Sequence, residues 1–496
     1  MLSRKFFCGN PVCPRNFASI QSRKIAECFA EKLRSKLVKS CGVFCLKVAE
    51  YYFVFFNLLL YICIDDNELD ESMYDYKPRI ADELLRRKLS GKGAVLVQGP
   101  KWCGKTTTAR QISGSELDLG DTAVLGDALT ALQIVPATLL QGKTPRLIDE
   151  WQSIPELWDM VRSEVDKRGE FGQFVLTGSS VPVDEDKRLH SGNGRYGWVN
   201  MRPMSLWESG ESNGTVSLKD IFEGRRLEPQ KNALNLEEIA FLLCRGGWPM
   251  STFLEGDVAL DQARDYYETV YKVDIHRVDK VRRSSERTRL LLRSYARNVG
   301  SATSFSKMSE DIKENDNASI SYETVSDYVD ALKKLFVLED MPAWNPNLRS
   351  KAAIQSSDAR YFVDPCIATA ALSIGPRDLI DDLKTLGLYF ESMAVRDLRV
   401  YVDALIGEVF HYRDSSGLEC DAVLHLRDGR YGLVEIKLGG SDNIEKGAAA
   451  LKELAGKIDS DKMKAPSFMM VLIAVGQFAY QRKDGVYVVP IGCLRP

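Results

Sequence analysis

The chain has 496 residues, 45% hydrophobic and 27% charged, with a formal net charge of −3. That length allows about three domains at ~150 residues each, with ample material for large cores, and the composition is that of a globular protein. The near-neutral balance excludes a globally basic nucleic-acid binder, so any such contact has to come from a local patch.

Residues 1–72 differ from the rest. They are basic up to Lys47 and rich in Ser, Phe and Cys, and they end in an apolar run at residues 51–64. That run is shorter than the ~20 residues a spanning helix needs. It also lies beyond the first ~30 residues, where the apolar region of a signal peptide falls. A weak membrane anchor, a buried helix, and translated upstream sequence with the true start at Met73 all fit. The abrupt onset of a soluble pattern at residue 74 favours the last, and no stable membrane association is expected.

Residues 73–215 are the expected nucleotide unit. Ile80, Leu84, Leu85 and Leu89 recur at near-helical spacing. An apolar run at 94–97 then leads into Gly99, Pro100, Lys101, Trp102, Cys103, Gly104, Lys105 and Thr106, followed by Thr107 and a helix-compatible segment. This is G-x-x-x-x-G-K-T between a strand and a helix, the pattern of a phosphate-binding loop. Glycines allow backbone angles that other residues resist, so the loop's N–H groups can converge on phosphate oxygens. Lys105 would reach the β- and γ-phosphates and Thr106 would hold Mg²⁺. Farther on, Leu147 and Ile148 run into Asp149 and Glu150. Asp149 would hold Mg²⁺ and Glu150 would polarise the attacking water.

Residues 174–176 form another apolar run ending in Thr177, Gly178, Ser179 and Ser180. Thr177 or Ser179 would bind the γ-phosphate or orient the water, or the segment is simply a Gly/Ser turn. Arg195 follows Gly194 and is a candidate for stabilising transition-state charge, in cis or from a neighbouring subunit; a surface salt bridge is the plain alternative. Five of the eleven cysteines follow residue 72, one of them Cys103, and no C-x-x-C pair or Cys/His cluster suggests zinc. With the nucleotide motif, this points to a reducing, cytoplasmic setting.

Residues 99–106, 147–152, 176–180 and 194–195 together resemble AAA+-type ATPases of an uncharacterised prokaryotic group that carry a C-terminal domain of unknown function. The resemblance runs from about Tyr76 nearly to the C-terminus and implies ATP as the nucleotide. Trp102 and Cys103 depart from the smaller or polar residues commoner in that loop.

Residues 216–260 read as a linker or helical join, with a glycine-proline turn at 245–249 after a helix-like stretch. Residues 261–370 read as mainly helical, with a small basic patch at 277–283. Ser321 caps a periodic helix at 322–335, and residues 336–344 look β-like. Helices followed by a hairpin suggest a winged helix, and the resemblance agrees. The candidate recognition helix, however, sets Glu323, Asp327 and Asp330 against Lys333 and Lys334, which is a poor surface for phosphate. A packing or protein-contact module fits equally.

Residues 371–496 hold a second constellation. An amphipathic helix at 388–398 carries Glu391. Strands are expected at 408–413, 419–426 and 431–437, the last two joined by an Asp428-Gly429 turn. Strand alternation puts Glu435 and Lys437 on one face, with Asp421 able to lie beside them. This order of helix acid, strand Asp and Glu-x-Lys resembles the restriction-endonuclease-like PD-(D/E)xK core. The resemblance implies that Asp421 and Glu435 bind Mg²⁺, that Glu391 completes the site and that Lys437 neutralises developing charge. Cross-strand salt bridging is the plain alternative.

The sequence thus describes an α/β protein: a P-loop AAA+-type ATPase domain, a helical winged-helix-like middle module and a restriction-endonuclease-like α/β domain. ATP and Mg²⁺ are the expected cofactors. DNA, RNA or another protein are candidate partners, and a homo-oligomer is compatible with a trans arginine. The leading function is ATP hydrolysis coupled to the C-terminal module. The alternatives are an ATP-gated Mg²⁺-dependent nuclease and a nucleotide-dependent switch or scaffold with little turnover.

Overall fold

Short apolar runs alternating with helices build a parallel sheet, because each strand must return through a crossover to point the same way. The computed structural model describes residues 75–179, 192–279, 281–316, 318–347, 354 and 357–496. The segment 1–72 with its apolar run, the start at Met73, and Ser180 lie outside the described residues. Strands β1 (Ala94–Gln98), β2 (Ser115–Asp118), β3 (Arg146–Asp149), β4 (Phe174–Gly178) and β5 (Tyr196–Asn200) stand in the order β2-β3-β4-β1-β5. All their pairings are parallel. Strand β1 is buried from Ala94 to Val97 because helices cover both faces of such a sheet. Because β4 lies between β1 and β3, the phosphate loop, Asp149–Glu150 and Ser179 all emerge at the carboxyl edge, where open α/β sheets bind ligands.

The helix Ile80–Leu89 forms over the residues its spacing predicts, with Leu85 and Leu89 buried. The join at 216–260 is not a free linker. Its strand β6 (Val216–Ser217) pairs with Leu494–Arg495, and its strand β7 (Gln230–Lys231) borders the C-terminal sheet. Helix Leu236–Arg245 belongs to the join, Gly256–Lys272 leads out of it, and Ser285–Arg297, Phe305–Asp316 and Tyr322–Lys334 make the middle module. Ser321 caps the last of them, accepting the Thr324 N–H.

Two expectations change here. Residues 336–344 form isolated bridges, Leu338 with Phe362 and Met341 with Ala359, rather than a continuous strand. Their apolar side chains pack onto the helices, which supplies the burial that a ladder would otherwise provide. The basic patch at 277–283 is also smaller than its sequence suggests: Arg277 and Arg282 are exposed, but Arg283 is withdrawn from it. The Arg283 side chain is buried and paired with Asp279 and Asp327, a residue of the candidate recognition helix.

In the C-terminal part, the long helix Leu383–Ala404 leads into an antiparallel meander of β8 (Gly407–Arg413), β9 (Glu419–Leu426) and β10 (Tyr431–Lys437). The helix Ser441–Lys457 crosses over to β11 (Phe468–Ile473), parallel to β10. Strands β12 (Phe478–Gln481) and β13 (Tyr487–Pro490) complete a seven-stranded sheet, ordered β7-β12-β13-β11-β10-β9-β8. The last strand, β14 (Leu494–Arg495), runs parallel to β6. One hydrophobic cluster extends from Ala81 through the helical module to Leu494, so the three parts share a core.

Candidate functional site

The phosphate loop is shaped by its own residues. Gly99 has φ +154°, and a Cβ there would meet the Met201 carbonyl oxygen at 2.0 Å, so only glycine fits. Gly104 has φ +98°. Trp102 also lies at positive φ; it is exposed, with its ring 6.2 Å from that of Tyr266. Cys103 is fully buried and anchors the loop against β5 and the residues after it. The Lys105 ammonium spans the loop to the Pro100 carbonyl at 2.7 Å. Lys101 pairs with Asp274 of the helical module at 2.6 Å. Thr107 follows on the helix Lys105–Arg110.

The acidic edge lies against the loop. Thr106 donates to Asp149 at 2.8 Å, and Thr177 donates to the same carboxylate oxygen. Glu150 sits at φ +51°, with its carboxylate held by Gln152 and by Ser179, the latter at 3.1 Å. Glu116 and Asp118 on β2 bring two more carboxylates within reach of Asp149. Hydroxyl and carboxylate oxygens so gathered are the hard donors that Mg²⁺ takes, so the residues present fit that ion. Arg195 is not drawn into this edge. Its guanidinium pairs with Asp166 at 2.8 Å on an exposed face.

The C-terminal candidates converge. Lys437 lies 2.6 Å from Glu435 and 3.0 Å from Asp421, and Asp421 also accepts the Ile436 N–H. Glu391 comes in from the long helix and accepts a hydrogen bond from Tyr361 at 2.5 Å. Burial, then the Asp421 charge, pushes both Glu391 and Glu435 well above the usual carboxyl range. Burial works against the Lys437 charge, but Asp421 and Glu435 outweigh it and hold the ammonium protonated. A cavity of about 40 Å³ opens beside these groups, lined in part by Gly300, Tyr361, Glu391, Cys420 and Asp421. It has room for water or an ion, and Gly300 and Tyr361 of the middle module form one wall.

Residues 91–209 match the model of an AAA domain family. This segment is an AAA+-type P-loop ATPase domain. Residues 236–378 and 386–494 match two further families, each described as a domain of unknown function. The uncharacterized protein Rv2008c of Mycobacterium tuberculosis is 24% identical over 375 residues, covering 74% of this chain and 75% of its own. The uncharacterized protein Mb2031c of Mycobacterium bovis matches with the same figures. Among solved structures, the Walker-type ATPase PABY2304 of Pyrococcus abyssi is 16% identical, with a TM-score of 0.38. It covers 60% of this chain and 99% of its own. The Aeropyrum pernix ORC1 protein, solved in complex with DNA, is 14% identical with a TM-score of 0.22, covering 62% and 95%.

Three residues, two around the ATPase domain and one at the C-terminal cluster, escaped sequence reasoning. Arg79 donates to the Cys103 carbonyl at 2.7 Å and to the Arg202 carbonyl at 2.8 Å, and pairs with Glu208 at 3.0 Å. Arg202, just past β5, pairs with Glu339 at 2.6 Å and with Asp403 of the long helix at 2.5 Å. Tyr361 closes over Glu391. Their partners are remote in sequence, and no motif marks them. The one local signal is Asp82 accepting the Arg79 N–H at the start of the first helix.

Proposed function

We propose that the chain is a cytoplasmic Mg²⁺-dependent ATPase that couples nucleotide hydrolysis to its C-terminal module. The observation that carries the coupling is Arg202. This one side chain leaves the ATPase domain and pairs with Glu339 of the middle module and Asp403 of the C-terminal helix. A displacement of the loop after β5 therefore has to be matched in both, because partly buried charges cannot be left unpaired without cost.

In this reading, residues 99–107 cradle the triphosphate of ATP through backbone N–H groups and Lys105. Thr106 and Asp149 hold Mg²⁺, with Thr177 fixing the Asp149 carboxylate. The ion would neutralise phosphate charge as the bond breaks. Glu150, held by Ser179 and Gln152, receives the proton of the attacking water. ATP turnover compared among wild type, Lys105→Ala and Glu150→Gln tests the assignment; equal rates in all three would remove it. Tight Mg²⁺-ATP binding with near-zero turnover in the wild type would instead favour the nucleotide-dependent switch.

A specific observation favours a second reading, an ATP-gated Mg²⁺-dependent nuclease acting on DNA or RNA. The order helix, three-stranded meander, helix, parallel strand at 383–473 supports a restriction-endonuclease-like domain over 371–496. The convergence of Glu391, Asp421 and Glu435 with Lys437 supports a metal site there. The helices and bridges at 261–370 are compatible with a winged-helix-like module. DNA and RNA incubated with Mg²⁺ and ATP should be cut by the wild type and spared by Asp421→Ala; cleavage retained in that variant excludes the site.

A further inference from the structure

We propose that Arg79 is the positioning residue of the phosphate loop: it fixes the Cys103–Gly104 peptide so that the Gly104 N–H faces away from the protein, toward a bound phosphate. The assignment rests on the loop's holding a nucleoside triphosphate.

A trans peptide is planar, and its C=O and N–H point in opposite directions. Whatever holds the Cys103 carbonyl therefore also aims the Gly104 N–H. Arg79 donates to that carbonyl at 2.7 Å. On this same side a Cβ at Gly104 would lie 3.4 Å from the Arg79 guanidinium and 3.5 Å from both Met201 and Pro249. The packed side of the peptide is thus the side Arg79 occupies, and the N–H is turned to the other. Gly104, at φ +98°, has many accessible backbone states in isolation, so an external anchor has most to contribute there.

The guanidinium itself cannot drift. Its side chain and that of Glu208 are each 2% exposed, and Glu208 accepts from the Arg79 Nε at 3.0 Å. Glu208 is fixed in turn as the reciprocal partner of Ser205 in a capping box, and it also accepts the Ile80 N–H at 2.9 Å. The remaining arm of the fork donates to the Arg202 carbonyl at 2.8 Å. One planar group thus ties the phosphate loop to the backbone of the residue whose side chain reaches Glu339 and Asp403. Lysine cannot replace it. An ammonium keeps the charge toward Glu208 but lacks the rigid fork that serves two carbonyls at once.

The test is Mg²⁺-ATPγS affinity, with KM and kcat for ATP, in wild type, Arg79→Lys and Glu208→Gln. Arg79→Lys is expected to raise Kd and KM about tenfold or more while the number of binding sites per chain and kcat stay near wild type, because a preset amide serves ground state and transition state alike. Glu208→Gln, which loosens the guanidinium without removing it, should raise KM by a smaller factor. A merely structural Arg79 would instead lower the number of active sites at unchanged KM, and that result overturns the proposal. An Arg79→Lys Kd within about twofold of wild type, on the same scale, overturns it too. Lys105→Ala separates the two failures: if wild type and Lys105→Ala bind ATPγS equally, the phosphate-loop reading has failed, not the role of Arg79.

Discussion

The two chemically suggestive regions are built in opposite ways. The phosphate loop is a contiguous stretch whose working parts are mostly backbone N–H groups, and its side chains serve to hold it, as Cys103 does by burial. The carboxylate cluster is made of side chains from separate elements: Glu391 from the long helix, Asp421 from β9, Glu435 and Lys437 from β10. Backbone N–H groups carry no titrating charge of their own. A cluster of acids has to manage its own charge, which it does here by burying Glu435, half-burying Glu391 under Tyr361 and placing Lys437 beside Glu435 and Asp421. The first region presents backbone groups and the second ionisable side chains, and Arg202 pairs with Asp403 on the helix that also carries Glu391.

The largest effect should come from breaking the loop region alone. Glu150→Gln is expected to lower ATP turnover about 10²–10⁴-fold, and Lys105→Ala about a hundredfold or more, as for loss of a donor aimed at developing charge. Steady-state ATPase assays read both.

Breaking the joint comes next. Arg202→Met should destabilise the protein by about 2–3 kcal/mol, below the cost for a fully buried pair because Glu339 and Asp403 are each 31% exposed and Glu339 keeps Arg399. Chemical denaturation reads the loss, and a change of less than ~1 kcal/mol would show that the ionic joint does not bind the regions together.

A pH-dependent variant sharpens the same comparison. Burial would raise the Glu339 carboxyl, but Arg202 and then Arg399 outweigh it and hold it down, from 4.5 to about 2. A depressed carboxylate stabilises the fold above its unfolded pKa, and that stability is lost as pH falls through the folded value. Glu339→Gln should therefore cost about 2 kcal/mol at neutral pH, discounted for a side chain 31% exposed, and the difference from wild type should shrink as pH falls from 4.5 toward 2. Unfolding curves across that range check it.

The smallest effect is expected at Arg195. Its pair with Asp166 is exposed on both sides, so the unfolding curve of Arg195→Ala should overlay that of wild type. ATP turnover per chain that rises with protein concentration in wild type, but not in the variant, would give Arg195 a role from a neighbouring copy.

The helix Ile80–Leu89 was legible because its apolar periodicity is also the pattern of its burial, and strands 419–426 and 431–437 because the Asp428-Gly429 turn separates two apolar runs, the second buried from Tyr431 to Ile436. Residues 336–344 were not, since an apolar run packed onto helices looks the same in sequence as one in a ladder. Glu435 and Lys437 were legible as a pair because two residues apart on a strand share a face. Tyr361 was not, because nothing near it in sequence announces Glu391. Nor was the fate of the basic run at 277–283, whose Arg283 is neutralised by Asp327 from a different helix.

By itself, the sequence determined the phosphate loop, the acids at and just after the end of β3 and the hairpin of strands around Asp428-Gly429. Each depends on backbone conformation or periodicity over a few consecutive residues. Only the tertiary structure decided which remote charges meet: Arg79 on the Cys103 carbonyl, Arg202 between Glu339 and Asp403, Tyr361 over Glu391. Such pairings are fixed by how the shared core brings distant segments together, and a local pattern carries no record of that.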